Sequence, residues 1–124
     1  MTTLRALLVM VSLVGVAHAQ APQPKEMPAA DVNKWLGFFD KLVVTVVKAQ
    51  NTCEKLALDV SNVIDQNKPA IAIAKNARAN GQKLPQHAQE HMLEGVKKMV
   101  PAMQKCGQNP KVRTAFAKLD LSRK

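Results

Sequence analysis

From Val32 onward the chain repeats apolar residues every seven positions for about five heptads. One column reads Val32, Phe39, Val46, Cys53 and Val60; a second reads Trp35, Leu42, Ala49, Leu56 and Val63. Two such columns fall on one face of an α-helix, so the segment commits the chain to helix-on-helix packing. The neighbouring column Leu36, Val43, Ala57 and Ile64 widens that face, which then has to meet more than one partner. Leu42 to Val47 has the composition of a strand. It lacks period-two alternation, however, and the seven-residue register crosses it unbroken. The sequence therefore predicts one long helix over about 31–66, with Asp31 as the N-cap whose carboxylate accepts the free N–H groups of the first turn.

Asn67-Lys68-Pro69 ends this helix and starts a short alanine-rich one over about 69–80, carrying Ile71 and Ile73 and stopped by Asn80-Gly81. Pro85 opens a second long helix, about 85–106, with Met92, Val96, Met99, Met103 and Cys106 on one face. Beside them Ala88, Gly95 and Ala102 recur at seven-residue spacing, where small side chains let another helix approach closely. Gly107 suits a C-cap, and Asn109-Pro110 restarts the chain into a last helix over about 110–119, lined by Val112, Phe116 and Leu119. The expected fold is an all-α bundle with the two long helices antiparallel.

Cys53 and Cys106 are the only cysteines. Aligning an antiparallel pair at them sets Met99 level with Val60, Met103 with Leu56 and Val96 with Val63, apolar against apolar. A disulfide between them closes a loop of about 53 residues and stabilises the fold by about 4 kcal/mol in the chain-entropy model.

Residues 1–19 carry the three parts of a secretory signal: Arg5, the apolar run Ala6 to Ala17, and the small-x-small pattern Ala17-His18-Ala19. The run is too short to cross about 30 Å of hydrocarbon, so cleavage after Ala19 and a secreted or periplasmic location are expected. An oxidising compartment favours the disulfide in turn. Residues 20–30, with Pro22, Pro24 and Pro28, read as a flexible leader, 31–120 as a single helical domain, and 121–124 as a basic tail. No transmembrane segment is expected after the signal.

Only Arg5 of the 18 Lys and Arg residues precedes residue 20 while all 9 acids follow it, so the chain beyond the signal carries +8. Such a surface attracts anions in a salt-sensitive way. With 3% aromatic residues and no tyrosine, an aromatic nucleic-acid platform is excluded, and nucleic acid is not an expected partner. An unknown protein or an anionic envelope component fits better, with peripheral membrane contact through the basic tail helix as one form of it.

Candidate chemistry is sparse. His87, His91 and Glu94, at i, i+4 and i+7, share one helix face, and two imidazoles so spaced can chelate a transition metal with the carboxylate as third ligand. His-Ala-Gln-Glu-His lacks the glutamate position of the zinc-protease motif. Met92, Met99 and Met103 have thioethers that suit Cu(I), but they fall in the apolar stripe and read as core. Ser61 has Asp65 one turn on and no base placed beside it. No catalytic residue, cofactor-binding motif or cofactor is assigned. The expectation is a non-enzymatic exported binding module; the alternatives are a metal-binding or metal-stress protein using His87, His91 and Glu94, and an oligomeric coiled coil using the wide face of 32–64.

Overall fold

The computed structural model describes residues 25–119. The signal assigned to 1–19, the leader up to residue 24 and the basic tail 121–124 lie outside the described residues. Five helices follow in order: α1 (Ala29–Lys48), α2 (Cys53–Gln66), α3 (Lys68–Ala79), α4 (Gln86–Cys106) and α5 (Pro110–Ala117). The chain is an all-α bundle with a Cys53–Cys106 disulfide, Cα atoms 5.3 Å apart.

The long helix expected over 31–66 is two helices, broken at 49–52. Thr52 is extended (φ −131°, ψ 101°) and its carbonyl accepts from Leu56 N at 2.9 Å, the first bond of the second helix. The break falls at Asn51 and Thr52, residue types that favour turns over helix interiors. A straight helix of 36 residues would also measure about 54 Å, with no partner of that length to cover it. The apolar columns still predict burial, because both halves turn the same columns toward one core. Trp35, Phe39, Leu42, Val46, Ala49, Leu56 and Val60 are all buried. The face that suggested a coiled-coil oligomer is thus covered within one chain.

Helix direction is the larger correction. α4 runs parallel to α1, not antiparallel. Trp35 meets Met92, Phe39 and Val43 meet Gly95, and Cys106 Sγ lies 3.8 Å from the Gln50 carbonyl. Lys111 Nζ on α5 lies 3.4 Å from Glu54 on α2, and Lys118 reaches Ser61 and Asp65, so that pair is parallel too. Extended residues 25–27 join the pattern: Glu26 and Lys83 form a parallel bridge, with Lys83 N donating to the Lys25 carbonyl at 2.8 Å. These partners lie 51 to 57 residues apart. The helix starts agree, since Ala29 and Gln86, and likewise Cys53 and Pro110, are 57 apart.

The chain is therefore two bent halves laid side by side, with α3 antiparallel to both as the return. One pair of cysteines fixes one height only, and Cys106 ends α4 while Cys53 begins α2; the bridge is compatible with either direction. The break at 49–52 decides between them, because it turns α2 away and leaves α4 facing α1 alone. The level pairs expected for Met99, Met103 and Val96 do not form. Helix α1 also starts two residues before Asp31, after Pro28, so Asp31 sits in the first turn, and no side chain caps the start. There its charge favours the helix dipole. The leader is anchored at its end, since Met27 is buried beside Val32, Ala77 and Ala88.

Candidate interaction surface

Helix α4 carries four of the six large apolar side chains that are exposed among the described residues. Its inner face is Ala88, Gly95, Met99, Ala102 and Cys106, all buried. The small residues bring its backbone onto α1: a β-carbon at Gly95 would collide with Phe39 Cε2 and lie 3.0 Å from Val43 Cγ2. A contact so narrow leaves the flank of the helix bare. Leu93, Val96, Val100 and Met103 are 55%, 45%, 42% and 37% exposed. At i, i+3, i+7 and i+10 they form a single stripe. The sequence placed Val96 and Met103 in the core; the parallel packing turns them to the surface. Leu93 was missed, although its spacing to Val96, Val100 and Met103 was available as a second column.

His87, His91 and Glu94 do share one face of α4, where they line a shallow groove with Asp40, Val44 and Lys98. Two of the three have protein partners. His91 Nε2 lies 2.6 Å from Asp40 Oδ1 on α1, and Glu94 Oε1 takes Lys97 Nζ at 3.2 Å. Among the described residues, no three His, Cys, Asp or Glu side chains are grouped to hold a metal ion. Asp40, which sequence reasoning passed over, gives the face its polar clasp across the α1–α4 seam. Its signal was a carboxylate directly after the apolar pair Phe38-Phe39.

The methionines divide. Met99 is buried, Met103 exposed, and Met92 partly buried with its sulfur accepting from Trp35 Nε1 at 3.3 Å. They do not converge on one point. Ser61 meets Lys118, which also donates to Asp65 at 3.1 Å. A cation tied to a carboxylate donates to the serine hydroxyl and does not withdraw its proton, so this trio does not supply a nucleophile and base. The tail helix α5 lays Val112 and Ala115 into the core, with Phe116 partly buried against it, as the amphipathic reading of 110–119 expects.

Charge is unevenly spread. Residues 95–119 contain six Lys and Arg and no Asp or Glu. Three of the six are paired, Lys97 with Glu94, Lys111 with Glu54 and Lys118 with Asp65; Lys98, Lys105 and Arg113 have no ion-pair partner among the described residues. No helix among those residues is long and apolar enough to cross a membrane. Comparison with protein-family models, curated proteins and solved structures found no match for this chain.

Proposed function

We propose that the chain is a small exported binding module that performs no chemistry itself and holds its partner on the outer flank of α4. The observation that carries this reading is the stripe Leu93, Val96, Val100 and Met103, with no described part of the chain packed over it. Single exposed apolar residues are ordinary, whereas an aligned row is the mark of a contact surface. The 57-residue offset supports a helix as the thing held. Subtracting it turns the stripe into Leu36, Phe39, Val43 and Val46 of α1, the face against which α4 itself lies. The second half thus presents the receiving face of the first, with no described residue packed over it. The basic run over 95–119 biases the partner toward an acidic protein or another anionic component of the envelope. Export is supported by the disulfide, which persists in oxidising compartments.

The test is retention of envelope components on the immobilised chain at low and high salt, beside a Val96→Asn/Val100→Asn variant. Both substituted positions are exposed, so the variant is expected to fold, as circular dichroism matching the parent's would show. The expected result is a component retained by the parent chain, released by salt and not held by the variant. Absence of salt-sensitive retention, or equal retention by the variant, contradicts the proposal.

A further inference from the structure

Helices α3 and α4 both lie along α1 and pack little on each other, and a groove of about 360 Å³ opens between them. Its floor is Trp35, and its walls include Met27, Ala74, Leu84 and Met92. The volume is near the lower end of small-ligand sites, which run to about 300–1,000 Å³. Two polar features single it out from the other surface hollows. Among the described residues Arg78 is the only charged group in the lining; it is exposed and has no ion-pair partner there. The second feature is the Trp35 indole N–H. Trp35 is 5% exposed, and its N–H meets only the Met92 thioether at 3.3 Å, a weak acceptor for a buried donor.

We infer that this groove is a binding site for a single-chain amphiphile with an anionic head, in the form of a free medium-chain carboxylic acid. The apolar chain lies on Trp35, Met92 and Leu84, where methionine adapts its shape to the occupant. The carboxylate sits at the rim on Arg78, whose guanidinium suits it bidentately. An acid at the far wall would oppose this, and among the described residues none lines the groove. The size excludes a two-chain lipid from entering whole. This site is separate from the outer flank of α4, and its test stands apart from that of the proposed function.

Trp35 is the only tryptophan, so its fluorescence reports the groove alone. The purified chain is titrated below micelle concentrations with decanoate, with decanol and with decyltrimethylammonium, and separately with anionic diacyl vesicles. The expected result is a saturable change with decanoate, about tenfold weaker affinity for decanol and no saturation with the cation. Arg78→Gln, at an exposed position, keeps the decanol response and loses the tenfold preference for decanoate. Three results overturn the proposal: no saturable response to decanoate, the same decanoate preference in Arg78→Gln, or a response to vesicles alone.

Discussion

A β-carbon at residue 95 would meet Phe39 Cε2 head-on, so the hydrogen of Gly95 sets how closely α4 approaches α1. Gly95→Leu forces the two helices apart and is expected to lower stability by about 1–3 kcal/mol, measured by urea unfolding. A variant as stable as the parent would remove the seam from this account. His91 is the contrasting case. Its contact with Asp40 is between two exposed side chains, 47% and 55% accessible, and such pairs contribute little in water. His91→Ala is expected to shift the unfolding midpoint by less than the equivalent of about 1 kcal/mol. A larger loss would mean that the clasp holds the seam. At this scale the sequence was a good guide: Gly95 was legible as a close approach from its spacing to Ala88 and Ala102. The Asp40 contact was not, because it depends on which helix α4 faces.

Among the elements, α5 is short, and its start is fixed by the Asn109 side chain, which accepts from Lys111 N at 2.9 Å and from Val112 N at 3.2 Å. Asn109→Ala leaves those N–H groups without a side-chain acceptor and should cost about 0.5–2 kcal/mol. Loss of protection for α5 amides in hydrogen exchange, without loss over α1, is the corresponding local readout. The last three helices could be read within a residue or two at both ends from proline, glycine and apolar spacing, and so could the start of α1 and the end of α2. The break at 49–52 could not. Ala49 is buried and Cys53 falls in the apolar column, so the periodicity passes through a turn without a missed beat. Register reports which side faces the core; it does not report whether the axis bends between two turns that share that core.

For the whole molecule, this blindness to the bend decided the topology read from sequence. A straight helix over 31–66 needs an antiparallel partner, and the level pairs around the two cysteines all matched in polarity because both long segments are rich in apolar columns. The structure satisfies the same disulfide with the halves parallel. Reduction of the bridge is expected to lower stability by about 4 kcal/mol, from the freed loop of 53 residues. A change of less than about 1 kcal/mol would show that packing alone holds the halves together. The outer flank of α4 follows from this arrangement: helices stacked in one direction with a constant offset leave the last receiving face uncovered. On the proposed function, the basic surface beside it selects for negative partners.

The parallel order of α1 and α4 supports both the bare stripe and the Trp35 groove, and nuclear Overhauser contacts from the α1 aromatic rings test it most directly. The account predicts cross-peaks from the Phe39 ring to Gly95 and from the Trp35 indole to the Met92 methyl group. Cross-peaks from those two rings to Val112 and Phe116 in their place would contradict it, and the receiving face on α4 would then be lost with the order that created it.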